Sequence, residues 1–135
     1  MSRCVLALLL VLPLAGCEVQ SARRETVAQS AFHKTELYFG TSKPDGSSVS
    51  AAEWQKFLDE VITPRFKDGL TVVDAYGQYL NSAGKLAKEN SKLVIFIHKP
   101  GTACDADFEA IITAYKKQFQ QESVLRVSVP AEAKF

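Results

Sequence analysis

The chain lacks any hydrophobic run long enough to cross a bilayer. Its longest, Val5–Leu14, has ten residues, about half of what a helix needs to span ~30 Å of hydrocarbon. It also lacks a dominant charge: 16 Lys and Arg stand against 15 Asp and Glu. The basic residues are scattered, with Arg23-Arg24 and Lys116-Lys117 the only adjacent pairs. No field of that kind gathers phosphates, so nucleic acid is excluded as a partner. Cysteine is scarce (Cys4, Cys17 and Cys104) and so is histidine (His33 and His98). The seven glycines form neither a Walker loop nor a dinucleotide fingerprint, and no Gly-x-Ser-x-Gly elbow holds a nucleophilic serine.

What is present begins at the amino terminus. Arg3 supplies one positive charge, the apolar run follows, and small residues close it at Leu14-Ala15-Gly16-Cys17. A basic start, a short apolar core and a small-residue cut site describe a secretory signal. The cysteine directly after Ala15-Gly16 resembles the lipobox of bacterial lipoproteins. That resemblance implies a diacylglyceryl thioether on Cys17, cleavage before it and acylation of the new amino terminus. The expected organisation is a signal over residues 1–16, a polar flexible tether over 17–31 and one domain over 32–135. The membrane is then a partner through the lipid anchor. Glu18 after Cys17 resembles the sorting pattern for the outer membrane, facing the periplasm. With Cys4 discarded and Cys17 acylated, Cys104 is a lone thiol and no internal disulfide forms. Stability falls to a hydrophobic core, for which about 120 residues suffice.

The domain punctuates itself. Phe32 to Gly40 is β-prone, and Lys43-Pro44-Asp45-Gly46 makes a turn. Ser50-Ala51-Ala52-Glu53 has the capping-box form, and Trp54, Phe57, Leu58, Val61 and Ile62 recur at helical spacing until Pro64. Leu70 to Leu80 and Lys92 to His98 are strands separated by a turn at Asn81-Ser82-Ala83-Gly84. A second helix, capped by Thr102 or Asp105, carries Phe108, Ile111, Ile112, Tyr115 and Phe119 on one stripe, and Val124 to Val129 is the last strand. Trp54 and Tyr115 sit at core spacing and are expected to be packing residues. The order β-α-β-β-α-β predicts an α+β, ferredoxin-like fold, an antiparallel sheet with both helices on one face.

Alternation along the strands assigns two faces. Leu37, Phe39, Val73, Ala75, Leu93, Ile95, Ile97, Leu125, Val127 and Val129 are expected to meet the helices. Glu36, Tyr38, Val72, Asp74, Tyr76, Gln78, Val94, Phe96, His98, Arg126 and Ser128 are expected on the open face, which is too aromatic and aliphatic to stand bare. His98 falls on this face and His33 on the other. With no cysteine or carboxylate at ligand spacing they form no zinc site, and no cofactor is implied.

Four blocks in these elements resemble the bacterial family catalogued as domain of unknown function 3574: Thr35 to Gly40, Thr63 to Phe66 with Asp68 to Val72, Asp74 to Gln78, and Gln121 to Arg126. The similarity runs from about Lys34 to the C-terminus, with the blocks in the family's order. Its members are often small exported or lipid-anchored proteins, and no activity comes with the resemblance. Cys104 lies outside the blocks.

Glu36, Tyr38, Arg65, Asp74, Tyr76, Gln78, Phe96, His98 and Arg126 are thus the candidate ligand or dimer face. One arrangement is a small anionic or polar ligand held by Arg65 or Arg126, oriented by Tyr76 and Gln78, with a carboxylate as base. The other is a homodimer interface or a salt-bridge network joining Glu36 or Asp74 to Arg126. Cys104, in the first turn of the second helix with Asp105 and Asp107 nearby, is a half-buried side chain rather than a nucleophile. The expected function is that of a lipid-anchored envelope module that binds or builds, self-associating through its open face. The alternative is a small cofactor-independent enzyme of the dimeric α/β-barrel kind, acting on a small polar or aromatic molecule.

Overall fold

A computed structural model of the chain describes residues 31–80 and 84–135. The expected signal, Cys17, nearly all of the tether and the turn residues Asn81, Ser82 and Ala83 lie outside the described residues. Strand β1 (Phe32–Gly40) opens the domain, and the turn after it is closed by Gly46 N–H donating to Lys43 O at 3.0 Å. Helix α1 (Ala51–Phe57) starts at the expected capping box. Glu53 N–H donates to Ser50 Oγ at 3.2 Å, and Ser50 N–H donates to Glu53 Oε2 at 2.8 Å. Its last turn, Leu58–Ile62, widens so that Thr63 N–H reaches back five residues to Leu58 O at 2.9 Å. Pro64 follows, with no N–H to continue the ladder.

Strand β2 (Thr71–Leu80) and strand β3 (Leu86–His98) form a long hairpin, paired out to Leu80 opposite Leu86. β3 therefore begins six residues before the expected Lys92. The polar stretch Lys88 to Ser91 has no apolar period to announce a strand, and its pairing with β2 draws it into the ladder. Helix α2 (Thr102–Phe119) has Gly101 at its N-cap and no side-chain cap, so neither Thr102 nor Asp105 caps it. It ends with Gln120 in the left-handed region at φ 55°, where Gln120 N–H and Gln121 N–H both reach Lys116 O. Strand β4 (Leu125–Ala131) completes an antiparallel sheet of order β2-β3-β1-β4. Both helices pack on one side of it: Phe39 of β1 meets Trp54 and Phe57 of α1 and Tyr115 of α2, with ring centroids 4.7–6.3 Å apart. This is the ferredoxin-like α+β fold expected from the element order.

Two aromatic groups fill the helix layer. Phe39, Trp54, Phe57, Tyr115 and Phe119 form one, with the buried Tyr115 hydroxyl donating to Gly40 O at 2.8 Å. Phe66, Phe96 and Phe108 form the other, 4.5–5.2 Å apart. Trp54 and Tyr115 are core residues, as their spacing suggests.

The register corrects the face assignment on three strands of four. Leu37 of β1 lies opposite Val94 and Arg126, and Thr35 opposite Phe96 and Ser128. Directly opposed residues share a face, so Thr35, Leu37, Phe39, Val72, Val94, Phe96, Arg126 and Ser128 face the helices. Val73, Leu93, Ile95, Ile97, Leu125, Val127 and Val129 face the other way, together with Glu36 and Tyr38. β1 alone is oriented as expected. In β3 the run Leu93 to Ile97 is apolar on both sides, so period two does not choose between them. Filling decides it: the Phe96 ring completes the contact between Phe66 and Phe108.

Candidate functional site

The nine candidate side chains do not form one site. Phe96 is fully buried in the core. Arg126 points to the helix side and lies over the Phe108 ring, its guanidinium carbon 4.5 Å from the centroid. It pairs there with Asp105, reaches Glu109 at 3.7 Å, and donates from Nε to Ser128 Oγ at 3.4 Å. The expected bridges from Arg126 to Glu36 or Asp74 are absent among the described residues: Asp74 is paired with Lys92, its cross-strand neighbour. The hydrogen bond from Arg126 holds the Asp105 carboxyl below the usual carboxylate range. Arg65, in the turn before β2, donates to Val61 O at 2.6 Å and lies 3.8 Å from Asp107. Tyr76 and Gln78 share the parity of Asp74 and are exposed on the hairpin.

His98 is on the helix side, not the open face, and His33 lies directly opposite it rather than behind the sheet, with ring centroids 6.1 Å apart. His98 Nδ1 lies 2.9 Å from Lys99 O, so that nitrogen carries the proton and donates to the carbonyl. Nε2 lies 2.8 Å from Thr35 Oγ1, and Thr35 Oγ1 lies 2.8 Å from Ser128 Oγ, so the three side chains form one hydrogen-bonded chain. The Thr35–His98 contact has the length of a nucleophile–base pair. Thr35 is fully buried, however, so the contact satisfies a core hydroxyl and meets no substrate. Cys104 is half-buried at the start of α2, its Sγ 3.5 Å from Lys99 O.

The open face keeps only Glu36 and Tyr38 of the candidates, and they are joined. Tyr38 donates its hydroxyl to Glu36 Oε2 at 2.7 Å, while Lys34 Nζ lies 2.8 Å from Glu36 Oε1. Lys34 first and Tyr38 second hold the Glu36 carboxyl below its usual range, and Glu36 pushes the Tyr38 phenol up. This ladder runs along a central strand with aliphatic residues on both sides. Leu125, Val129, Val73 and Val127 keep 58, 42, 41 and 38% of their surface exposed. Sequence reasoning missed these residues as surface because it turned them inward. The one signal available was the strict alternation Leu125-Arg126-Val127-Ser128-Val129, which says that one side is apolar without saying which way it points.

The model for the protein family of unknown function DUF3574 matches residues 34–135, and the chain belongs to that family. No curated protein matches the chain. A phage SAM lyase solved with S-methyl-5'-thioadenosine superposes with a TM-score of 0.58 at 19% identity, over 75% of this chain and 82% of that one. CutA1 from Oryza sativa gives 0.51 at 14% identity over 80% and 87%. CutA from Synechococcus elongatus gives 0.50 at 10% identity over 77% and 80%. At such identities the likeness is one of fold.

Proposed function

We propose that this member of the DUF3574 family is a lipid-anchored module of the bacterial envelope that self-associates through the open face of its sheet. The observation that carries the reading is the direction of β4. An alternating strand normally turns its apolar residues to the core. Here Leu125, Val127 and Val129 face solvent, while Arg126 and Ser128 are held inward by Asp105 and Thr35. An apolar face of this breadth marks an interaction surface.

Size and charge support a second copy as the occupant. Four strands at ~4.8 Å spacing, about eight residues long, give a face of roughly 500 Å² in projection. Corrugated by side chains, it approaches the ~800 Å² per partner of a stable interface. The charges at its centre bring little desolvation penalty, because Lys34, Glu36 and Tyr38 already satisfy one another. Two such faces stack about 10 Å apart.

The anchor rests on Leu14-Ala15-Gly16-Cys17 and on Glu18, the outer-membrane position included. No helix among the described residues is long and apolar enough to cross a membrane. Fractionation tests the anchor: Cys17→Ser should move the protein from membranes to the soluble fraction, and unchanged membrane retention would refute it. Light scattering on the Cys17→Ser chain tests assembly. A mass that is a multiple of the monomer's is expected; a strict monomer at tens of micromolar would sink the reading.

A further inference from the structure

Where β1 runs out at Gly40, the open side of the sheet carries a cavity of about 520 Å³, within the range of small-molecule sites. A missing side chain makes room for its floor. Glu89 of β3 lies opposite Gly77 of β2 and leans over Gly40 of β1, so close that a Cβ at Gly40 would fall 2.6 Å from Glu89 Oε1. Only glycine leaves the carboxylate that position.

The charges around the cavity are one-sided. Its ammonium, Lys43, is drawn off by Glu53 at 2.8 Å and lies 5.7 Å from the Phe119 ring centroid. Glu89 has no hydrogen-bond or ion-pair partner among the described residues, and Glu122 adds a second carboxylate to the lining. Gln121, also in the lining, donates its amide N–H to Ser42 O at 2.6 Å, which leaves its oxygen as the free polar atom. Tyr38 and Tyr79 bring two aromatic rings to the same space. A metal ion needs several converging donors, and the described residues hold no cluster of three metal-ligating side chains.

We propose that this cavity binds a small organic cation, an alkylated ammonium or sulfonium centre. Glu89 is its counter-ion, and Tyr38 and Tyr79 offer aromatic faces to the charge. All of these groups belong to one copy, so the site does not depend on self-association.

Calorimetric titration of benzyltrimethylammonium into the full chain in non-ionic detergent tests it. Saturable binding is expected, weakened at least about tenfold in Glu89→Gln at an unchanged melting temperature. The neutral carbon isostere, 2,2-dimethylpropylbenzene, should not compete. Gly40→Ala provides a second variant, since its methyl displaces only the far end of a flexible side chain; it too should weaken binding. Absence of saturable binding up to ~10 mM, full affinity in both variants, or equal competition by the isostere would each overturn the proposal.

Discussion

Neighbouring residues of β3 live in opposite surroundings. Val94 and Phe96 are sealed beneath the helices, while Leu93, Ile95 and Ile97, as aliphatic as they are, lie on a side with no layer above it. The same contrast divides β4, where the charged Arg126 is better covered than the aliphatic residues on either side of it. Arg126 reaches over Phe108 to the carboxylates of α2, and Val127 beside it faces water. Apolar content therefore does not tell the two faces of this sheet apart; what tells them apart is which one the chain itself covers. A single copy buries one hydrophobic face and presents another.

The largest test of this contrast compares Phe96→Ala with Ile97→Ala. Phe96→Ala empties the contact between Phe66 and Phe108 and should cost about 3–5 kcal/mol by denaturant unfolding. Ile97→Ala removes a half-buried side chain from the open face and should cost under about 1.5 kcal/mol in dilute protein. Equal costs would mean that the faces are not so different.

Arg126→Ala comes next. It removes a stacked guanidinium but strands no buried charge, because Asp105 and Glu109 are mostly exposed. A loss of about 1–2 kcal/mol is expected, short of the 3–5 kcal/mol that breaking a buried pair would cost. The larger figure would show Arg126 to be a core residue in its own right.

Acid should loosen the helix layer by a smaller step. Lys43, with the Ser50 capping bonds behind it, holds Glu53 down at about 2. A carboxyl depressed in the folded chain stabilises it fully above the ordinary carboxylate range and loses that effect as pH falls through the depressed value. The melting temperature should drop between about pH 4.5 and 2, and less so in Glu53→Gln. Identical profiles for the two proteins would remove Glu53 from the account.

The fold was legible where local signals agree. The Ser50–Glu53 capping box, the helical spacing of Phe57 and Tyr115, and the element order each lead to what the chain does. The open face was not legible, because its orientation is set by pairing register. Leu93 to Ile97 is apolar at every position, and Leu125-Val127-Val129 fits a core as well as an interface. With that register reversed, Asp74, His98 and Arg126 fell on a face they do not share with Glu36 and Tyr38. Glu89 gave no sign at all: its place depends on the absent side chain of Gly40, a residue 49 positions earlier in the chain.

Sedimentation equilibrium of Val127→Lys beside the parent chain tests the central claim most directly, both carrying Cys17→Ser. The new lysine would lie opposite Glu36, a favourable cross-strand pair that leaves the monomer folded while placing charge in the middle of the apolar face. The account expects the parent to associate, and the variant to associate at least about a hundredfold more weakly with an unchanged circular dichroism melt. Association of equal strength in both proteins would contradict it.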